Sequence, residues 1–250
     1  MIIKKPIPED ISALRELWKE AFEDTDTFLD KFFSAGFSAD RCRILTVKGQ
    51  LAAALYWFDC SWNGKKVAYL YAVATKKAFQ GQGLCRALIT DTHNHLKQLG
   101  YRGAALVPAN AGLFSLYGKF GYESFCPMTT HTIAPGKDKA ALSSISWEDY
   151  EALRRPYLPE NTLLQEGKTL AFLSTFARFY RGENCLLCGY EEKGSFSVCE
   201  YFGSEDRLPE IAAAFGTHIT VRLPGGSNSA MYYPLDSSAD LPAYLGLTLN

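Results

Sequence analysis

A short turn that contains two glycines, Gln80-Gly81-Gln82-Gly83-Leu84-Cys85, has residue types that suit the binding of an anion. Glycine has no Cβ atom, so its backbone can approach a phosphate oxygen closely and can take a positive φ where a turn requires it. Where such a turn opens a helix, the first backbone N–H groups have no partner within the helix, and the helix dipole adds partial positive charge. The turn is therefore predicted to hold an anion such as a pyrophosphate.

The flanking residues predict the strand and the helix that position this turn. Before it, Val67–Ala74 is apolar and rich in aromatic and β-branched residues, which is typical of a strand. After it, leucines recur at helical spacing as far as Gly100, a suitable C-terminal stop. The turn is not a P-loop or a dinucleotide motif, since Cys85 and Arg86 stand where the latter needs glycine. A tight turn without a ligand is the alternative interpretation.

Length and charge limit the classes of function. The chain has 250 residues, a formal net charge of -1 and seven cysteines. This length allows one large domain or two small ones, and the charge predicts no binding of nucleic acid. There is no apolar run of membrane-spanning length and no signal-peptide core at the N-terminus, so we expect a cytoplasmic protein without a membrane partner. The odd number of cysteines fits reduced thiols.

Two groups of potential metal ligands are given no metal role. Cys185 and Cys188 form a Cys-x-x-Cys pair in an apolar, strand-like run without a second ligand pair nearby, which favours buried structural thiols. His93 and His95 are two residues apart on the predicted helix and so do not share a face. We expect no metal cofactor.

A second motif follows the first at a distance of about one helix and one strand. Asn110 precedes an apolar helix that carries Leu113, Leu116, Tyr117 and Phe120 and is predicted to end near Gly121. The order predicted for the first half is a strand, two helices, a three-strand meander, the glycine turn, a helix, a strand, a helix and a strand. The predicted strands are Ile2–Ile7, Cys42–Val47, Leu51–Ser61, Val67–Ala74, Gly103–Val107 and Ser124–Ile133, with an Asn63-Gly64 hairpin turn before Val67.

With both motifs at this separation, residues 1–133 resemble a GNAT-superfamily N-acetyltransferase. Gln80–Cys85 matches the family's acetyl-CoA motif, Gln/Arg-x-x-Gly-x-Gly/Ala, with Cys85 at the last position. Asn110, Tyr117 and Gly121 match the second motif, in which Tyr122 replaces the usual Phe. The resemblance implies an α/β protein with the mixed sheet of the acyl-CoA N-acyltransferase fold, and acetyl-CoA as co-substrate.

The resemblance also implies roles for individual residues. Backbone groups of Ala72–Ala74 would pair with the pantetheine arm, amides from Gln82 to Arg86 would hold the pyrophosphate, and Asn110 and Phe114 would line the groove. Tyr117 would protonate the leaving thiolate, because a phenol with a pKa of about 10 is neutral at working pH and can act as a general acid. Alternatively, Tyr117 is an ordinary aromatic residue of the hydrophobic core. The complete set implied to bind the coenzyme is Ala72, Val73, Ala74, Gln80, Gly81, Gln82, Gly83, Leu84, Cys85, Arg86, Asn110, Leu113, Phe114 and Tyr117.

The sequence does not identify a general base. Relatives often carry a carboxylate on the strand before the turn, but Ala68–Tyr71 contains no acid. Glu23, Asp24 and Asp26 lie in the break between the first two helices, on the side where the family binds its acceptor. They either bind the cationic amine or support a proton relay through water, or they cap helices in a solvated loop. His131 either accepts a proton or points outward from its strand.

The second half repeats the order of the first in shortened form. After a linker at residues 134–144, residues 145–250 are predicted to form helices from Ser146 and at Thr169–Tyr180, then a hairpin, a helix and two strands. The turn that corresponds to the glycine turn, Phe202–Arg207, has one glycine and two acids and would repel a pyrophosphate. We interpret this half as a degenerate GNAT-like unit without a coenzyme site, as in tandem and Eis-like acetyltransferases. The alternative is a segment that covers a sheet edge or forms a contact in a homo-oligomer.

The leading functional hypothesis is transfer of acetyl from acetyl-CoA to a primary amine of a small molecule, peptide or protein, by direct attack in a ternary complex. An acyl group carried on Cys85 is given less weight, because this thiol belongs to the phosphate turn. The first alternative is an acyl-CoA-binding sensor without turnover, and the second is a peptide acyl or aminoacyl transferase of related fold.

Overall fold

The computed structural model describes residues 1–237 and 240–249, and the chain divides into two compact units. Unit 1 consists of Met1–Glu123 and Met231–Asp240, and unit 2 consists of Ser124–Ala230 and Leu241–Asn250. Residues 124–133, which the sequence assigns to the first domain, thus fall in unit 2, and residues 231–240 fall in unit 1. The domain boundaries at residues 133 and 145 stay a prediction.

The chain contains both strands and helices, distributed from Ile2 to Pro234. The strands are β1 (Ile2–Lys4), β2 (Cys42–Val47), β3 (Gln50–Trp62), β4 (Lys65–Thr75), β5 (Gly103–Leu106), β6 (Glu123–Ile133), β7 (Leu142–Ile145), β8 (Leu164–Gln165), β9 (Arg178–Gly182), β10 (Cys185–Glu192), β11 (Ser195–Phe202), β12 (Ile219–Pro224) and β13 (Ser227–Pro234). The α-helices are α1 (Ile11–Phe22), α2 (Asp26–Lys31), α3 (Leu84–Gln98), α4 (Ala111–Gly118), α5 (Trp147–Arg154), α6 (Lys168–Leu173) and α7 (Leu208–Phe215). Among the described helices, none is long and apolar enough to span a membrane.

Unit 1 is built on a mixed sheet with the strand order β1-β2-β3-β4-β5, followed by the Met231–Pro234 part of β13. Strands β1 to β4 pair antiparallel, whereas β4 and β5 pair parallel and are joined through α3. The parallel pairing covers Val67–Tyr69 and Gly103–Ala105, and β4 continues beyond it to Thr75. The order of elements and the parallel pair agree with the sequence prediction, since a parallel connection requires a crossover such as a helix.

Helices cover both faces of the unit 1 sheet. Successive side chains of a strand point to opposite faces, so Leu55 and Trp57 belong to a core with α3, and Tyr56 between them packs on Trp18 of α1 at 5.2 Å between ring centroids. Phe32, which follows α2, packs on the same Trp18 at 4.5 Å. The face covered by α3 is the one that positions the candidate site.

Within unit 2, the strands follow the order β6-β12-β11-β10-β9-β7. Strands β11 and β12 pair parallel over Phe196–Val198 and Ile219–Val221 and are joined through α7, whereas the other pairs are antiparallel. On the face opposite α7, Glu200 accepts hydrogen bonds from Arg154 of α5 at 2.7 Å and from Tyr150 at 2.9 Å. Both charged side chains are fully buried.

One helix prediction is wrong in its second half. The spacing of Leu170, Leu173, Phe176 and Tyr180 predicts a helix to Tyr180, but α6 ends at Leu173 and Arg178–Gly182 is strand β9. Strand β9 pairs with β10 on one side and with β7 on the other. Hydrogen bonds to two strands therefore override a local pattern that fits a helix.

Candidate functional site

The glycine turn has the backbone conformation that the sequence predicts. Gly81 and Gly83 have φ values of +75° and +74°, and Gly83 is the N-cap of α3. A Cβ atom built on either glycine meets no atom within 4 Å, so the positive φ, and not a lack of space, requires glycine here. Because glycine has no side chain to cap the helix, the first N–H groups of α3 are available to an external anion.

This turn forms one wall of a groove with a volume of about 580 Å³. From the predicted coenzyme set, the groove is lined by Gln80, Gly81, Gly83, Leu84, Cys85, Arg86 and Leu113. Sequence reasoning missed five other lining residues, namely Thr75, Phe79, Leu116, Lys119 and Phe120. A signal for two of them was present, because Leu116 and Phe120 follow Leu113 at helical spacing and so share its face.

A β-bulge interrupts β4 on the approach to the turn. Ala54 pairs with Ala74 and Tyr56 with Tyr71, so Leu55 faces two residues, Ala72 and Val73. Ala72 has a φ of +48°, a conformation that costs an L-residue about 1–2 kcal/mol. The bulge moves the side chains of β4 out of phase: Leu70 is in the core with α3, and Val73, three residues later, packs against that same core.

The thiol of Cys85 is protonated at neutral pH. Cys85 is half-buried in the groove wall, and burial raises the pKa of its thiol to about 11. A thiol with this pKa is not a thiolate nucleophile at neutral pH. The geometry therefore favours a wall-forming role for Cys85 over a covalent one.

Tyr117 is buried at 6 % exposure and lies in the core with α3. Its ring meets Phe120 at 6.0 Å and Tyr122 at 5.7 Å between centroids, both in edge-on geometry. Burial, and after it the Cys85 thiol, raises the pKa of the Tyr117 phenol above its ordinary value. The phenol is thus fully protonated at neutral pH, and its neighbours Cys85 and Phe120 line the groove. The role of general acid stays a prediction.

The other predicted coenzyme residues lie in or near the elements that carry the groove. Asn110 is the N-cap of α4, and its Oδ1 accepts a hydrogen bond from Leu113 N at 3.1 Å. Phe114 packs, partly buried, against the core with α3. Gln82 is exposed and donates from Nε2 to Ala78 O at 3.4 Å. Ala72, Val73 and Ala74 form the bulged segment of β4.

The candidate bases have structural roles in this arrangement. Glu23 ends α1 in a left-handed conformation with a φ of +60° and is exposed. Asp26 pairs with Lys19 at 2.6 Å and with Arg15 at 3.3 Å, and the hydrogen bond from Lys19 lowers the pKa of its carboxyl, which weakens it as a base. Asp24 accepts a hydrogen bond from the Trp18 indole at 2.8 Å.

His131 is exposed on β6 in unit 2, opposite Val221 of β12. The structure thus places it on the strand that the sequence predicts. Its role as a base stays a prediction.

Of the histidine and cysteine residues considered as possible metal ligands, His93, Cys185 and Cys188 are buried among other side chains. His93 is buried, shares a hydrogen bond of 2.7 Å between its Nε2 and the Tyr122 hydroxyl, and stacks on Tyr233 at 4.1 Å between centroids. Cys185 and Cys188 are buried, and burial raises the pKa of both thiols. In the part of the chain that the structure describes, no three His, Cys, Asp or Glu side chains are grouped as metal ligands.

Comparison with known proteins gives a family match for the first unit and fold matches for the chain. Residues 3–125, just under half of the chain, match the sequence model of the family described as acetyltransferase (GNAT) domain. None of the curated proteins matches this sequence.

Three solved structures illustrate the fold. A GCN5-related N-acetyltransferase from Kribbella flavida has a TM-score of 0.72 at 13 % identity, over 94 % of this chain and 71 % of that chain. Eis1 from Mycobacterium abscessus has a TM-score of 0.67 at 13 % identity, over 94 % and 74 %. A GCN5-related N-acetyltransferase from Sphaerobacter thermophilus has a TM-score of 0.59 at 12 % identity, over 97 % and 98 %. The mixed α/β sheet of this chain is therefore that of the GNAT acetyltransferase fold.

Proposed function

From a GNAT acetyltransferase domain match over residues 3–125 and a GNAT fold, we propose that this chain is an N-acyltransferase. It transfers acetyl from acetyl-CoA to a primary amine of a small molecule, peptide or protein, by direct attack in a ternary complex. The observation that carries the proposal is the uncapped start of α3 at Gly83, which opens into a groove of about 580 Å³. The coenzyme pyrophosphate binds the first amides of α3, where N–H groups and the helix dipole favour an anion.

The pantetheine arm lies along the part of β4 beyond its pairing with β5. This pairing ends at Tyr69, and the bulge at Ala72 and Val73 turns the following backbone groups. A bulge re-aims peptide groups without breaking the strand, and a backbone N–H aimed at a thioester carbonyl stabilises the charge that develops on it. The strain at Ala72 is of the kind that is found at functional sites.

Tyr117 protonates the thiolate that leaves when the amine attacks. Burial raises the pKa of this phenol, so it is protonated at neutral pH and has a proton to donate. In this step the amine nitrogen forms a bond to the acyl carbon, the carbon–sulfur bond breaks, and the phenol proton passes to sulfur. Of the candidates for amine deprotonation in unit 1, Glu23 is preferred to Asp26, whose carboxylate is engaged by two cations.

We also propose that unit 2 is a degenerate copy of the same architecture without a coenzyme site. Two features support this: β11, α7 and β12 repeat the parallel βαβ unit of β4, α3 and β5, and a bulge at Cys199 interrupts β11. That bulge puts Glu200 on the face opposite the core with α7 that holds Val198 and Tyr201. The acidic turn before α7 contains Glu205 and Asp206, which disfavour a phosphate.

The C-terminal segment of unit 2 occupies the ends of these two strands. Thr248 accepts a hydrogen bond from Arg222 of β12, and Tyr244 donates to Glu200 of β11 at 3.4 Å. A Cβ atom at Gly246 would lie 1.7 Å from Glu200 Oε1, so the backbone is tightly packed there. The chain itself thus fills the position that a coenzyme arm would need in unit 2.

The test is thiol release from acetyl-CoA with a panel of amines, comparing the wild type with Tyr117→Phe. We expect release that depends on the amine, and a kcat that falls by about 10²–10⁴ in Tyr117→Phe with KM nearly unchanged, the range for loss of a general acid. Tyr122→Phe removes a buried hydroxyl from the same core and is the matched control, with kcat retained. Equal kcat values for both variants would remove Tyr117 from the mechanism, and absence of CoA binding would refute the function.

A sensor that binds acyl-CoA without turnover is the second candidate. It is favoured by the burial of Tyr117 and by the absence of an acid from Ala68–Tyr71 of β4. Tight CoA binding with no thiol release for any amine in the panel would select it.

A further inference from the structure

Two cationic residues line the groove, and one of them, Arg86, is held in place by its contacts. Arg86 of α3 has its guanidinium 4.5 Å from the centroid of the Phe120 ring. Its Nη2 donates a hydrogen bond to the Lys119 carbonyl oxygen at 3.0 Å. Ring stacking and this hydrogen bond restrict the rotamers of an exposed side chain, so less entropy is lost when its remaining N–H groups bind an anion.

Arg86 and Lys119 both line the groove, and the described lining residues include no carboxylate. In the ranges 1–237 and 240–249, neither cation forms an ion pair with an acidic side chain. Two cationic residues that lie next to each other in a mostly apolar groove favour an anionic ligand with high charge density.

The charge of the coenzyme exceeds what the glycine turn can match. The start of a helix supplies about half an elementary charge, which suits the pyrophosphate. Coenzyme A carries, in addition, a phosphate monoester on its 3′ oxygen, which has a charge of about −1.5 to −2 at pH 7, as phosphate monoesters do. A planar guanidinium with five N–H donors binds such a group through two hydrogen bonds, and an ammonium adds a point charge.

We propose that Arg86 and Lys119 bind the 3′-phosphate of coenzyme A and make the groove select coenzyme A over dephospho-coenzyme A. This inference rests on the proposed function, since it assigns a part of the same groove. The two parts of the groove then have different roles. The turn at Gly81 and Gly83 binds the diphosphate, which both nucleotides contain, and the two cations bind the 3′-phosphate, which only coenzyme A contains.

The experiment is calorimetric titration of the wild type, Arg86→Gln and Lys119→Gln with CoA and with dephospho-CoA at low ionic strength. The wild type is expected to bind CoA about tenfold to a hundredfold more tightly, the range for a charge-assisted hydrogen bond. Arg86→Gln should lose most of this ratio and Lys119→Gln part of it, by weakening the binding of CoA and leaving dephospho-CoA unchanged. Lys97→Gln, also on α3 but outside the groove lining, should keep the full ratio.

The outcomes separate the two proposals. Tight and equal binding of both nucleotides by the wild type overturns the 3′-phosphate assignment and leaves the proposed function standing. Equal weakening of both nucleotides in Arg86→Gln also overturns it, because Arg86 would then act on the shared diphosphate. Binding of neither nucleotide overturns the proposed function itself. Thermal unfolding of each variant without ligand shows whether a loss of binding comes from a loss of fold.

Discussion

Two glycines at opposite ends of α3 allow the binding role of the turn to be separated from its structural role. Gly83 opens the helix with a φ of +74°, and Gly100 follows its end with a φ of +78°. At both positions a Cβ atom would meet no atom within 4 Å, and both residues are exposed. An alanine at either position therefore adds no overlap and is penalised only by its left-handed backbone.

The expected cost is the same for Gly83→Ala and Gly100→Ala, about 1–2 kcal/mol in the free energy of unfolding. For a chain of this size this corresponds to a fall in Tm of about 2–4 °C per kcal/mol. The affinities of the two variants for CoA should differ. A methyl group at Gly83 stands in the groove at the mouth of α3, so we expect Kd to rise by at least about tenfold, or about 1.4 kcal/mol. Gly100→Ala should keep the wild-type Kd.

The assay is urea unfolding of both variants, followed by calorimetric titration with CoA. Equal stability losses with a CoA-binding defect confined to Gly83→Ala would support the account. If Gly83→Ala binds CoA as tightly as Gly100→Ala does, the turn does not hold the diphosphate, and the reasoning from the uncapped helix start is refuted.

Two further predictions concern buried titratable groups in the two units. Burial lowers the pKa of His93 to about 4, against about 6.5 in an unfolded chain, so the native state should lose up to about 3 kcal/mol as the pH falls from 6.5 to 4. In urea unfolding at several pH values, His93→Gln should lose this part of the pH dependence, whereas His131→Gln at an exposed site should keep it; equal slopes would contradict the assignment. Glu200→Gln leaves the buried guanidinium of Arg154 without its counter-charge and should cost about 3–5 kcal/mol of stability. Circular dichroism in urea measures it, with exposed Glu205→Gln as the near-neutral control, and a loss below 1 kcal/mol for Glu200→Gln would show that the pair is not coupled.

Local chemistry explains why much of unit 1 can be predicted from the sequence. Asn63 and Gly64 predict a hairpin turn, and the structure has φ values of +49° and +74° there. Gly81 and Gly83 likewise predict positive φ values before an apolar helix, and both residues have them. In each case the residue type fixes the backbone over two or three positions, without the rest of the chain.

Long-range pairing explains what the sequence does not predict. Leu142–Ile145 lies largely within the predicted linker and is strand β7, because it pairs with β9. The bulge at Ala72 has no local signal either, since Tyr71-Ala72-Val73 reads as regular strand and only the pairing with β3 shows the extra residue. Lys119 is similar: it lies in the predicted motif, but its place in the groove depends on the packing of α4 beside α3.

The most direct test of the central claim is hydrogen–deuterium exchange with and without CoA. We expect CoA to slow the exchange of the amides from Gln82 to Arg86, which would bind the diphosphate, and to leave exchange in the acidic turn at Gly203–Arg207 unchanged. Unaltered exchange at Gln82–Arg86 under saturating CoA, or slower exchange at the acidic turn instead, would contradict it.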